Sequence, residues 1–311
     1  MKELKSVHQL IKSLHDKKSC MEFLEKHRWQ GVPICPHCNH QSEKHYRLTN
    51  GSVFNGLYKC RCCKRRFNVL TGTMFHGSNV SLDKWFYAIS VFLSHKKGIS
   101  SVQLSKDIGV TQKTAWFMLN RIRCNLKNSI PEMFESLNTE VQVDETYVGG
   151  KTKGRFWQNQ GRSLKQKVPV VGLLTNDKVY TFVVKDTEGP TLKGLIYYCV
   201  KPGTTVVTDG WQGYRGLSAY YNHKVVRHTK GIYVNKEGYH TNGIEGFWSH
   251  LKRGVKGIYH SVSRKWLETY CNEYAYRYNT RKITDVNRFI DFMTTKHRPI
   301  KYRDLISVPK C

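Results

Sequence analysis

Two sets of side chains in this 311-residue chain have the types and spacing to do chemistry. The first is four cysteines in two C-x2-C pairs, Cys35-Pro-His-Cys38 and Cys60-Arg-Cys-Cys63. A tight knuckle presents two thiolates together, so two knuckles can close a tetrahedral shell around one zinc ion. A closed shell has no open position and is structural. Cys62 could displace Cys60 or Cys63, and His37 or His40 could substitute, but the symmetric set Cys35, Cys38, Cys60 and Cys63 is already complete. The second set is acidic. Asp144 lies in VQVDETYVGG, Asp209 closes TVVTD before a glycine, and Glu245 lies in NGIEGFWSHLKRGVKG. Carboxylates converging from strand ends and a helix start can hold two divalent cations about 4 Å apart, as phosphodiester chemistry requires. All-oxygen ligands suit Mg²⁺, with Mn²⁺ able to substitute.

The helix around Glu245 is the most informative element. Ile244, Phe247, Trp248, Leu251 and Val255 recur at helical spacing and predict one buried stripe. Asn242, Glu245, Ser249 and Lys252 form a second stripe. Gly243 and Gly246 lower helix propensity, so their presence points to close approach by a neighbour. Glu245 then reads as a metal ligand and Lys252, two turns on, as a phosphate contact. An exposed Glu and Lys on a plain surface helix is the simpler alternative. Strand alternation places Asp144 and Glu145 on opposite faces, and the residues alone leave open which face is the site.

The elements that must position these groups follow from periodicity. Residues 1–30 have helical spacing, and residues 31–76 read as a cysteine-rich ribbon whose Lys44, Lys59, Arg61, Lys64, Arg65 and Arg66 are basic. Residues 80–128 are helical again. Within them Leu104 and Ile108 face inward, Gly109 makes a turn and Thr111 caps a second helix, which is the pattern of a helix-turn-helix. Gln112, Lys113 and Thr114 stand at the start of that second helix, where major-groove contacts are made. A linker is expected at 129–139. Three strands (141–148, 168–174, 179–184), a helix (192–200), two short strands and two helices then fill 139–281 in an α/β order, with 282–311 set apart as a tail. The basic, glycine-rich loop 149–167, with Lys151, Lys153, Arg155 and Trp157, reads as a DNA-tracking loop, and Arg253 as a further DNA contact.

Composition sets the partner. Lys and Arg number 51 against 23 Asp and Glu, a formal charge of +28, while 39% of residues are hydrophobic. That is enough apolar material for a packed core, so the charge belongs to a folded protein and calls for a polyanion. Double-stranded DNA is the first expectation and a membrane surface the second. No apolar run reaches membrane-spanning length, and the start MKELKSVHQL lacks an apolar signal core. A cytoplasmic protein is expected, nucleoid-associated in a bacterium. In that setting the five singly placed cysteines read as reduced thiols.

These motifs together resemble a known family. CRCCKRRFNVLTGTMF, VDETYVGGK, TDGWQGY, HTNGIEGFWSHLKRGVKGIYH and YAYRYNTR are similar to insertion-sequence DDE transposases of the 1595 group, ISXO2-like and related to the eukaryotic Merlin transposases. The resemblance spans nearly the whole chain. It implies an RNase H-like catalytic core preceded by a zinc ribbon and a helix-turn-helix segment. It also implies a metal-binding triad at Asp144, Asp209 and Glu245, choosing Asp144 over Glu145, with a trailing lysine at Lys252. Some members carry Asn at the third position, where this chain has Glu245. The implied activity is cleavage at element ends and transfer of the 3′-OH strands, using two Mg²⁺ ions, a structural Zn²⁺ and a homo-oligomer on DNA. A DNA-binding regulator derived from a transposase, or an RNase H-fold nuclease, is the alternative.

Overall fold

The computed structural model describes residues 6–14, 16–126, 140–149, 167–227, 231 and 233–307. Helices α1 (Val7–Ser13) and α2 (Lys17–Trp29) open the chain. Asp16 caps α2 by a reciprocal pair of hydrogen bonds with Ser19. Three short antiparallel strands follow in the order β1 (Tyr46–Asn50), β2 (Val53–Lys59), β3 (Arg66–Phe67). Next come α3 (Leu82–Ser94), α4 (Ser101–Ile108) and α5 (Gln112–Arg123). Strands β4 (Val141–Gly149), β5 (Lys167–Thr175) and β6 (Lys178–Val183) precede α6 (Gly189–Cys199), β7 (Thr205–Asp209) and β8 (Asn222–Val226). The chain continues through α7 (Asn242–Gly254), α8 (Leu267–Asn279), α9 (Asp285–Thr294) and α10 (Tyr302–Ser307). The expected linker at 129–139 lies outside the described residues, as do Lys151, Lys153, Arg155 and Trp157 of the basic loop.

These elements form two compact units, one taking residues up to Asn125 together with those from Lys282 onward, the other running Leu126–Arg281. In the first unit, α4 and α5 meet across Gly109, whose φ of 61° suits a residue without a Cβ. The Thr111 hydroxyl accepts from the Thr114 N–H at 3.2 Å and starts α5. Leu104 and Ile108 are buried as expected, Leu119 and Ile122 of α5 are buried with them, and Trp116 is partly buried. The residues read from sequence as a tail carry two helices and pack within this unit. Val286, Phe289, Phe292 and Met293 form a buried stripe on α9. The Arg288 guanidinium donates to the Leu93 carbonyl at 2.9 Å, and Arg121 donates to the Ile300 carbonyl at 2.7 Å. Among the single cysteines, Cys20, Cys199 and Cys271 are free and buried. Cys124 is disulfide-bonded, contrary to the expected reduced thiol, because spacing along the chain does not report proximity in space.

The second unit is built on one five-stranded sheet, ordered β6-β5-β4-β7-β8. β4 pairs antiparallel with β5 and parallel with β7, and β7 pairs parallel with β8, so β5 alone runs against the rest. This is the RNase H-like arrangement. Period-two alternation along β4 feeds two separate cores. Val141 and Val143 pack with Leu192 and Ile196 of α6 on one face, and Val148 packs with Ile244, Trp248 and Leu251 of α7 and Tyr274 of α8 on the other. No helix among the described residues is long and apolar enough to cross a membrane.

Two contacts set how closely α7 approaches the sheet. Gly172 on β5 pairs with Asp144, and a Cβ there would stand 2.6 Å from Trp248 and 2.8 Å from Ile244. Gly243 leaves room for the Gln142 side-chain oxygen, which accepts from the Ile244 N–H at 3.2 Å. Gly246, expected to serve the same purpose, is exposed and faces open space.

Two outcomes follow from this packing. Gly172→Ala is expected to cost about 1–3 kcal/mol by overpacking, read as a lower urea midpoint with unchanged m-value. In the first unit, burial and the nearby Arg28 charge depress the His297 imidazole to about 3. Below about pH 6.5 the unfolded chain gains a proton that the folded chain refuses, so stability present above that pH is lost as pH falls toward 3. His297→Phe should flatten this part of the urea-midpoint-versus-pH curve; an unchanged curve would count against the assignment.

Candidate active site and metal centre

The thiol site assembles from the two knuckles. Cys35 Sγ lies 3.7 Å from Cys63 Sγ, Cys38 Sγ lies 3.6 Å from Cys60 Sγ, and all four stand within 4.8 Å of one another. A tetrahedral zinc with bonds of about 2.3 Å needs sulfurs about 3.8 Å apart, so the donor set fits zinc in type and spacing. Each knuckle closes through a backbone bond, Asn39 N–H to the Cys35 carbonyl at 2.8 Å and Lys64 N–H to the Cys60 carbonyl at 3.1 Å. Asn39 and Lys64, the residues that follow the two knuckles, both adopt positive φ, 55° and 59°, a conformation that Asn suits and Lys suits less well. Cys62 is exposed and outside the quartet. The His37 ring approaches the Arg66 carbonyl at 3.3 Å, and His40 is likewise not among the clustered ligands. Trp29, Tyr58 and Phe67 pack behind the ribbon, while Lys44, Lys59, Arg61, Lys64, Arg65 and Arg66 are all exposed.

The carboxylates come together through sheet register. On parallel strands, paired residues point to the same face. Val143 of β4 pairs with Thr208 of β7, so the next step sets Asp144 beside Asp209. Asp144 shares its face with Gln142 and therefore looks toward α7, which carries Glu245 in its first turn. The Asp209 Oδ1 accepts from the Trp211 N–H at 2.9 Å, and the Glu245 Oε1 accepts from the Thr241 hydroxyl at 2.9 Å. Burial first, then the charges of Glu145 and Asp209, raise the Asp144 carboxyl to about 7; the Glu145 backbone opposes this and Glu245 adds to it. Such a group holds a proton near neutrality unless a cation takes its place. Among the described residues no carboxylate cluster is as tight as the thiol quartet. Hard carboxylate oxygens from β4, β7 and α7 are the ligand type that suits Mg²⁺.

Lys252 is exposed and two turns beyond Glu245. Partial desolvation lowers its ammonium from the usual lysine range, the Asp144 charge opposes that, and Lys256 and Lys167 reinforce it. Glu145 sits on the opposite face, 9% exposed, accepting from the buried Tyr214 hydroxyl at 2.8 Å. Sequence reasoning missed the Glu145–Tyr214 pair and the Gln142 anchor. Thr241 and Glu245 are four residues apart, a helical spacing that could have flagged their bond. Gln112 and Lys113 are exposed at the start of α5; the Gln112 amide donates to the Ser101 hydroxyl at 2.7 Å, and the Lys113 ammonium lies 5.0 Å from the Tyr302 ring. Thr114 bonds the Thr111 cap, and Arg253 is exposed, donating to the Ser249 carbonyl at 3.2 Å.

A cysteine ribbon ahead of an RNase H-like sheet with three acidic positions near β4, β7 and α7 is the layout of a transposase. Family models agree: an ISXO2-like transposase domain matches residues 136–279, and a transposase zinc-ribbon domain matches residues 15–66. The chain is 29% identical over 283 residues to a protein of transposable element ISH50 from Halobacterium salinarum, covering 86% of this chain and 92% of that protein. It is 32% identical over 107 residues to a transposase-like protein of Haemophilus influenzae, covering 34% of this chain and 85% of that one. A solved structure, a pre-cleavage Mos1 transpososome, aligns at TM-score 0.26 and 11% identity, covering 68% of this chain and 79% of the other. The chain belongs to the ISXO2-like transposase family.

The metal centre yields a direct expectation. Cys60→Ser should lose zinc and unfold the ribbon, while Cys62→Ser should keep one zinc per chain by elemental analysis. Full zinc occupancy in Cys60→Ser would contradict the ligand set.

Proposed function

We propose that this chain is a metal-dependent DNA transposase that cuts at insertion-sequence ends and transfers the 3′-OH strands into target DNA. Asp144, Asp209 and Glu245 are its cation-holding carboxylates. The observation that carries the reading is the β4–β7 register, which sets Asp144 beside Asp209 on the face that α7 covers. When bound, two Mg²⁺ ions, or Mn²⁺ in their place, supply Lewis-acid stabilisation to the attacking and leaving oxygens.

The chain's own residues do the positioning. The Trp211 N–H and the Thr241 hydroxyl each hold one carboxylate oxygen, and Gln142 fixes the first turn of α7. Three carboxylates provide the negative charge that a protein of net +28 otherwise lacks. Lys252, within electrostatic reach of Asp144, is placed to hold a substrate phosphate oxygen. Zinc in the ribbon is structural. Gln112, Lys113 and Thr114 serve as base-reading residues, and Lys151, Lys153, Arg155 and Arg253 as backbone contacts. Specific recognition then belongs to the modules at 31–76 and 80–128, and chemistry to 139–281. Cutting two ends and joining them needs at least two active sites, so a homo-oligomer on DNA is part of the proposal, in the cytoplasm.

Glu245→Gln keeps side-chain size and the Thr241 contact but removes one charge. It should lose orders of magnitude in cleavage and strand transfer, because each Lewis-acid contact is worth several kcal/mol, while duplex affinity stays the same or rises. Labelled 3′-OH ends and a supercoiled target provide the assay. Near-normal transfer by Glu245→Gln would exclude it as third ligand; cutting without joining by the native chain would make it a nuclease, and binding without cutting a regulator.

A further inference from the structure

The first unit holds a cleft of about 500 Å³ beside the ribbon, where the end of α2, the first cysteine knuckle, the segment after β3 and the segment after α9 meet. Its volume lies within the range of about 300–1,000 Å³ typical of ligand sites. Three basic side chains line it, Arg28, Lys296 and His297, and the lining contains no carboxylate. Arg28 Nη1 is buried without a hydrogen-bond partner, and neither ring nitrogen of His297 has one of normal geometry, although His297 is only 4% exposed.

Buried polar groups are normally paired, and a buried guanidinium nitrogen without a partner costs the fold the desolvation of that group. Here the two side chains that carry the unmet nitrogens both line one cleft, so small side-chain movements can offer them to an acceptor that arrives from outside. The planar donor fork of arginine matches phosphate oxygens. Trp29 and Pro36 add apolar walls suited to a sugar, and Asn39 of the knuckle adds a polar edge.

We propose that this cleft seats one phosphate group of the DNA backbone, gripped by the Arg28 guanidinium and a ring N–H of His297. The assignment rests on the DNA-binding reading above; free inorganic phosphate presents the same chemistry, and the test separates the two sources. It also explains why the ribbon and the α9 segment share a unit: together they form the two sides of the grip.

The test uses the full zinc-loaded chain, Arg28→Met and His297→Phe, which keeps a ring against Phe292 (centroids 4.6 Å apart in the native chain). Binding to a generic duplex is measured over a salt series, with thermal melting alongside. Each variant is expected to bind about tenfold more weakly, with the log–log salt slope shallower by about 0.9 for Arg28→Met, one phosphate contact. Melting temperature should stay level or rise in Arg28→Met, because a buried guanidinium nitrogen without a partner has gone; a merely structural Arg28 would show a fall. Equal duplex binding by native chain and Arg28→Met, or a melting temperature that falls together with binding, overturns the proposal. If the native chain binds no duplex, the DNA reading fails separately. Inorganic phosphate then decides: a melting rise in the native chain that Arg28→Met lacks assigns the cleft to free phosphate and overturns the DNA assignment, and no rise overturns the site altogether.

Discussion

Everything in the second unit depends on forcing two carboxylates side by side in a half-buried place. The parallel pairing of β4 with β7 leaves Asp144 and Asp209 no alternative to sharing a face, and Glu145 behind and Glu245 above add further negative charge. Burial in low dielectric first, and then the like charges of Glu145 and Asp209, raise the Asp144 carboxyl to about 7. A fold that keeps such a cluster has an unfavourable electrostatic term that cations remove. In the proposed function, affinity for divalent metal and cost to the free protein are therefore the same interaction seen from two sides.

The packing is arranged to hold that cluster still. α7 can lie against the sheet only because Gly172, the cross-strand neighbour of Asp144, has no side chain. Farther along, Gly254 lets α7 pass the ring of Tyr274, and Glu273, buried on α8, accepts from both Tyr259 and Arg277. The buried Glu145–Tyr214 bond stiffens β4 from the other face. The first unit solves a different problem. Its ribbon has too little apolar surface to fold on three short strands, and four thiols within zinc-binding distance take over the work of a core.

Much of this was legible in the sequence, and the exceptions have physical causes. Strand and helix limits around Asp144, Asp209 and Glu245 are clear from periodicity, since each element has one face that must be buried. The choice between Asp144 and Glu145 is not, because alternation fixes opposite faces without saying what covers each. Gly243 and Gly246 look equivalent on paper, yet only Gly243 meets a neighbour, as the two point to different sides of α7. The segment after Arg281 reads as a tail because its partners, Leu93 and Arg121, lie far back in the chain. The Arg28 and His297 donors were invisible for the same reason.

The most direct test of the central claim is to locate bound metal in the chain. Fe²⁺ in place of Mg²⁺, with ascorbate and peroxide, cleaves the backbone next to the ion, and fragments can be mapped by mass spectrometry. Three segments distant in sequence, around Asp144, Asp209 and Glu245, should be cut together, and excess Mg²⁺ should protect all three. Cuts confined to one of them, or elsewhere in the chain and indifferent to Mg²⁺, would contradict a shared site built by the β4–β7 register and α7.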